Sequence, residues 1–327
     1  MRACTLVALW LLGSVFNHAQ ASGDCHEIRK MPPETMNSTM ARAMHLTMAG
    51  PIRSPGKYCL VEDIESLQLS GIGGENKGYG EPILDLGASN VDVDLQGHSL
   101  SANTSDMRGV HLFPLEGDDR LTAHVSIRNG TVTSRTGDAI NFASFEGSLL
   151  SDFLTMLHGD TQSAKAAFND MQSITLDEYA LTEYVIENVK VRANTGGRSN
   201  TSSVVGIGMR GRRNVIRNST IEVTDGHVAI YLFGPGNVIE NNTIIFHGQS
   251  AFESAAAIKL HQADGTIIRN NDIVIETPPM GKVPAAAIAL VNSKGVVIEN
   301  NRLRGIKAMV KAWDDKSDFA IAGDREK

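Results

Sequence analysis

Between Val204 and Leu303 one eight-residue phrase is written four times with small variations. It reads Asn214-Val-Ile-Arg-Asn-Ser-Thr-Ile221, Asn237-Val-Ile-Glu-Asn-Asn-Thr-Ile244, Thr266-Ile-Ile-Arg-Asn-Asn-Asp-Ile273 and Val296-Val-Ile-Glu-Asn-Asn-Arg-Leu303. Self-similarity at a period of 23 to 30 residues is the signature of a solenoid, in which each repeat buries its apolar face only by stacking on its neighbours.

Degenerate copies extend the array towards the N-terminus, at Val91–Leu100, Val125–Val132 and Val185–Val191. Aligned, the copies place Leu95, Ile127, Ile186, Ile216, Ile239, Ile268 and Ile298 in one inward column. Leu100, Val132, Val191, Ile221, Ile244, Ile273 and Leu303 form a second. Ahead of most copies runs another short strand: Arg108–Leu112, Gly137–Phe142, Val205–Met209, Val228–Leu232, Ala256–Leu260 and Ala286–Leu290. Alternation turns Val110, Ile140, Ile207, Ile230, Ile258 and Ile288 inward, so each repeat is one coil of two to three strands, paired in parallel with the coils above and below.

The Asp94-Leu-Gln-Gly-His98 and Ile-Glu-Asn-Asn phrases resemble the strand-and-turn repeats of the right-handed parallel β-helix, or pectin-lyase-like, superfamily, over roughly 56–323. The resemblance implies an all-β right-handed parallel β-helix and is nearly silent on activity. It also implies that Asn129, Asn188, Asn218, Asn241, Asn270 and Asn300 form a stacked amide ladder buried in a turn, which makes the glycosylation patterns at Asn218-Ser-Thr220 and Asn241-Asn-Thr243 accidental. The residue before each asparagine alternates in charge (Glu187, Arg217, Glu240, Arg269, Glu299), an ion-pair ladder that sets register more than it stabilises.

Residues 1–21 read as a secretory signal: Arg2, an apolar run from Leu6 to Phe16, and Ala19-Gln-Ala21 at the cleavage site. The run is too short to span a bilayer, no later stretch is long enough, and a secreted or periplasmic protein is expected. Residues 22–55 form an N-terminal segment in which Met36, Met40, Met44 and Met48 stripe one face of a cap helix starting near Pro33. A thioether copper site with His45 is the weaker alternative for that stripe. Removal of the signal takes Cys4 and leaves Cys25 and Cys59, which in an oxidising compartment make a disulfide; two free buried thiols are the alternative. The rhythm fails between Ser151 and Thr182, where Ser163–Met171 looks helical and Ile174–Leu176 resumes a strand, and again in the polar loop Thr195–Ser203. Phe319–Ala322 reads as a last half-coil and 324–327 as a solvated tail.

The net charge of −7 disfavours nucleic acid as a partner, since phosphate binding needs a basic face. Against that acidic background the outward residues of the second strand gather His, Lys, Arg and Tyr: His111, Asn141, Gly208, Tyr231, Lys259 and Ala289 in one column, with Arg210, Phe233 and His261 two positions along and Arg212 and Arg213 beside them. That set suits an acidic polysaccharide. Uronate elimination needs a cation to neutralise the carboxylate and groups to move the proton. Lys259 and Arg210 are the candidate cations, and His261 and Tyr231 the candidate base or acid. His111, Asn141, Arg212 and Phe233 are candidate substrate contacts. No cofactor is required. Calcium in place of a cation, as in some members of the resembled superfamily, is an alternative for which no clear acidic cluster stands out. A polygalacturonase-type hydrolase is a second enzymatic reading, on Thr224-Asp-Gly226 and the weaker echo Gly137-Asp138, but paired carboxylates are missing from the next coil. A non-catalytic surface, adhesin-like or accessory binding solenoid is the reading from another class. A solvated outer face is the plain alternative for the whole patch.

Overall fold

The computed structural model describes residues 25–31, 49–66, 82–103, 108–112, 122–135, 137–142, 181–194, 204–247, 255–276 and 284–326. The expected signal peptide, the Met-striped cap helix with His45, the Ser163–Met171 helix, the Ile174–Leu176 strand and the Thr195–Ser203 loop lie outside them.

Each repeat is one coil. In the best-defined coils a strand such as Val228–Phe233 is followed by Val238–Glu240 and then Thr243–His247. Among the described residues the first kind stacks into a nine-stranded sheet and the other two share a seventeen-stranded sheet. Pairing is parallel and in register: Ile186, Ile216, Ile239, Ile268 and Ile298 are mutual neighbours along one column, and Val191, Ile221, Ile244, Ile273 and Leu303 along the other. All are fully buried, as are Val110, Ile140, Ile207, Ile230, Ile258 and Ile288 behind the nine-stranded sheet. The three inward columns are one continuous core.

Asn129, Asn188, Asn218, Asn241, Asn270 and Asn300 have φ between 53° and 59°, the left-handed conformation that asparagine tolerates better than most residues, and the chain bends there between the two strands of each coil. Between Asn129 and Asn188 the expected rung is present, with Asn188 Nδ2 donating to Asn129 Oδ1 at 2.9 Å, but from Asn218 onward the amide ladder runs one residue later than expected. Asn218, Asn241, Asn270 and Asn300 are exposed, whereas Ser219, Asn242, Asn271 and Asn301 are buried. Asn242 Oδ1 accepts from Ser219 N at 3.0 Å, Asn271 Oδ1 from Asn242 N at 2.9 Å, and Asn301 Oδ1 from Asn271 N at 3.0 Å. Geometry explains the shift: the αL residue throws its own side chain outward, and the next residue points into the corner, where unpaired amides of the bend need an acceptor. The exposure of Asn218 and Asn241 also removes burial as a reason to discount their glycosylation patterns.

The alternating charges behave as expected. Arg217 lies 2.9 Å from Glu187, and Arg269 lies 2.6 Å from Glu240, each across one rung. Strands begin earlier than expected, at His26–Ile28, which Cys25–Cys59 pins to Gly56–Leu60 with a Cα–Cα distance of 5.8 Å. They also end later. Asp324, placed in the tail by sequence, accepts from Asn301 N at 2.6 Å and closes the amide ladder with a carboxylate, and Arg325–Glu326 pairs with Arg302–Arg304. No helix among the described residues is long and apolar enough to cross a membrane.

Candidate functional site

The nine-stranded sheet aligns its outward residues into one column by register. Asp85, His111, Asn141, Gly208, Tyr231, Lys259, Ala289 and Lys311 succeed one another from coil to coil. Arg210, Phe233 and His261 form the parallel column two residues along. This face is not the solvated strip that alternation alone suggests. Tyr231, Phe233, Lys259, His261 and Asn141 are all buried, Lys259 with only 3% of its surface accessible. Arg210 is half-buried.

Two groups of side chains occupy the column, separated by Gly208, which contributes none. The first joins the predicted residues of the middle coils. The Tyr231 and Phe233 rings lie 4.3 Å apart between centroids, and Phe233 and His261 lie 5.1 Å apart. Lys259 Nζ sits 5.1 Å from the centre of the Tyr231 ring, within cation–π range. Tyr231, Lys259, His261 and Phe233 are therefore neighbours in one cluster, with Arg210 on the rung beside Phe233. Arg212 and Arg213 do not join it. The Arg212 carbonyl accepts from Thr182 N and Glu183 N at the corner, and Arg213 reaches towards Glu183 at 3.7 Å.

The second group stands on the earlier coils and includes residues the sequence reading passed over. Asp85 is buried between Arg53, whose Nη2 donates to Oδ2, and His111, whose Nδ1 is 3.5 Å from Oδ1. Burial works against the charge on Asp85, but the contacts with His111 and Arg53 outweigh it and hold the carboxyl below its ordinary range. Next along the column, Asn141 Nδ2 donates to Asp138 Oδ2 at 2.8 Å, and Val205 N donates to Asp138 Oδ1 at 2.9 Å. There burial dominates and pushes the carboxyl up, against the nearby Arg108 charge and those hydrogen bonds. The sequence signal for Asp85 is an acidic residue at the outward position of Leu84-Asp-Leu86, one coil before the Arg108–Leu112 strand.

Asp225, the acidic residue of the hydrolase alternative, sits at a corner with φ of 57°, and its N–H donates to His247 O at 3.0 Å. Among the described residues no group of three or more His, Cys, Asp or Glu side chains comes together to hold a metal ion. An open depression of about 490 Å³ lies on the opposite side, lined by Gly97, Asn129, Asn188, Lys190, Asn218 and Thr220 among others, away from both groups.

The stacked parallel coils agree with the family described as "Right handed beta helix region", which matches residues 164–325. The chain is a right-handed parallel β-helix protein. No curated protein sequence matches it. Among solved structures, this β-helix is similar to the crystal structure of pectate lyase Pel9A, with 12% identity, a TM-score of 0.36, and 86% of this chain and 72% of that one covered. It is also similar to the A-module of the mannuronan C-5 epimerase AlgE4 of Azotobacter vinelandii, with 12% identity, a TM-score of 0.34, and coverage of 84% and 89%. A third is a glycosyl hydrolase candidate from Parabacteroides merdae ATCC 43184, at 10% identity and a TM-score of 0.23, with 85% and 80% covered. Likenesses at these scores add nothing to the assignment of activity.

Proposed function

We propose that the protein is exported and binds an anionic, uronate-containing polysaccharide along the outer face of its nine-stranded sheet, where it carries out β-elimination. The observation that carries this reading is the contiguous, mutually tilted set of Tyr231, Phe233 and His261 rings with Lys259 over Tyr231. A lysine in a water-poor setting neutralises a carboxylate far more effectively than one in bulk solvent. Once the carboxylate is neutralised, the adjacent C–H becomes acidic. Its proton passes to His261 or Tyr231, the electron pair becomes the new C=C bond, and the glycosidic oxygen departs and takes up a proton. Arg210 is a second cation for a neighbouring uronate. The signal-like sequence of residues 1–21 and the Cys25–Cys59 bridge support export into an oxidising compartment. In this reading Lys259 supplies the positive charge that calcium supplies in the alternative.

Incubation with pectate, alginate and glycosaminoglycans, followed by the ultraviolet absorbance of the unsaturated product, tests the proposal. Product from at least one polymer, lost in Lys259→Ala and His261→Ala, is the expected outcome. Silence across all of them removes the lyase reading, and absence of binding as well removes the polysaccharide.

A further inference from the structure

The outward column of the nine-stranded sheet continues past Lys259. In the next two coils Ala289 and then Lys311 occupy the same position. Two residues along, His261 is followed by Val291. Trp313, two residues after Lys311, is tied to that coil by its backbone N–H, which donates to Leu290 O at 2.9 Å. A lysine over an aromatic ring is thus repeated on this face: Lys311 Nζ lies 3.7 Å from the centre of the Trp313 ring, as Lys259 Nζ lies 5.1 Å from that of Tyr231. Ala289 and Val291, between the two pairs, contribute short apolar side chains and no charge. The pairs differ in access. Lys259 and Ala289 keep 3% and 2% of their surface accessible, whereas Lys311 is exposed and Trp313 half-buried. Lys311 has no ion pair among the described residues. Asp314, the acid that follows Trp313, is occupied by the N–H groups of Asn292, Lys316 and Ser317. The ring holds the Lys311 ammonium in place without neutralising it, so its charge remains available to a carboxylate from outside.

We propose that Lys311, held over Trp313, is a second carboxylate subsite for the anionic polysaccharide whose elimination is assigned to Lys259. The inference rests on that reading and gives the bound chain a direction. It lies along the coils, with one uronate at Lys259 and another at Lys311, two rungs or about 10 Å further on. A polyuronate carries a carboxylate on each residue, so the cation on the last coil meets the same chemistry as the first. Lys311 touches no reacting atom. It therefore holds the ground state and the transition state alike and acts on KM, with kcat left to the Lys259 cluster.

Initial rates of unsaturated-product formation from pectate, alginate and glycosaminoglycans, at low salt and at ~1 M salt, test this, with circular dichroism confirming each fold. On a polymer that the wild-type protein cleaves, Lys311→Ala raises KM about fivefold at low salt, near the upper end for an exposed ion pair, and leaves kcat unchanged. Lys311→Arg keeps both the charge and the ring contact and retains the wild-type KM. At ~1 M salt, where the screening length falls to ~3 Å, Lys311→Ala and wild type converge. A merely structural Lys311–Trp313 contact gives another pattern: a lower thermal midpoint for Lys311→Ala with KM unchanged, or a KM defect that persists at high salt. Either result, or a loss confined to kcat, overturns the subsite and leaves the Lys259 reading standing. No product from any of the polymers with the wild-type protein overturns the elimination reading and the subsite with it.

Discussion

Replacing Asn271 should destabilise the β-helix far more than replacing its neighbour Asn270. The Asn271 side chain makes four contacts. Its Oδ1 accepts from Asn242 N at 2.9 Å and from Asn242 Nδ2 at 3.1 Å, and its Nδ2 donates to Ile239 O at 3.0 Å and Asn301 Oδ1 at 2.9 Å. In Asn271→Ala the Asn242 backbone N–H loses its acceptor inside the fold, a cost of about 1–3 kcal/mol. Loss of the bonds to Ile239 and Asn301 adds about 1 kcal/mol each, for a total of about 3–5 kcal/mol. Asn242 Nδ2 keeps its bond to Ile216 O at 2.9 Å, so it adds little. Asn270 is exposed with φ of 56°, and its side chain plays no part in the buried ladder. Asn270→Ala costs only the αL preference, about 1 kcal/mol, and Asn270→Gly less still. Urea midpoints by circular dichroism, with the disulfide intact, give the comparison. Solenoids can unfold in stages, so the earliest transition is the relevant one. An Asn270→Ala midpoint as low as that of Asn271→Ala would refute the buried-amide argument.

Three further outcomes follow from the same geometry. Ile298 and Ile321 share a column, but Ile298 is fully buried and Ile321, on the last coil, is 49% exposed; Ile298→Ala therefore costs about 2–5 kcal/mol by thermal or urea denaturation and Ile321→Ala under about 1 kcal/mol. Burial of Asp314 opposes its charge, but the N–H groups of Asn292, Lys316 and Ser317 outweigh that and lower its pKa. Its folded pKa lies below the unfolded one, so the stabilisation is present above the ordinary carboxylate range and is lost as pH falls through the folded pKa; acid titration of Asp314→Asn should lack that component. Reduction of Cys25–Cys59, which closes a loop of sequence separation 34, should lower stability by about 4 kcal/mol on the chain-entropy estimate, measured as the midpoint shift with dithiothreitol.

Much of the fold was legible because a parallel solenoid repeats its inward choices. Every Ile, Leu and Val assigned to the three core columns is buried, and the Glu187, Arg217, Glu240 and Arg269 series pairs rung to rung. The amide ladder was misplaced because Asn-Asn pairs offer two equivalent letters. Only the αL conformation at Asn241, Asn270 and Asn300 decides which of each pair points inward, and a periodicity argument does not see it. Asp85 was missed for another reason. Its partners Arg53 and His111 are 32 and 26 positions away in sequence, and the coil lengths there are irregular, so no fixed spacing marked them as neighbours.

The outer face of the nine-stranded sheet carries the functional argument because it departs from what folding needs. A strand with one face in the core gains nothing for stability from placing Lys259, His261 and Asn141 on the other face and then burying them. Apolar residues would serve there, as Ala289 and Val291 do one coil after Lys259 and His261. On the seventeen-stranded sheet, by contrast, the charged side chains of Glu187, Arg217 and Arg269 keep substantial contact with solvent, and the buried Asn242 and Asn271 amides serve the backbone at the corners. Polar side chains that are buried without serving the backbone ladder mark the place where sequence has been constrained by something other than the fold.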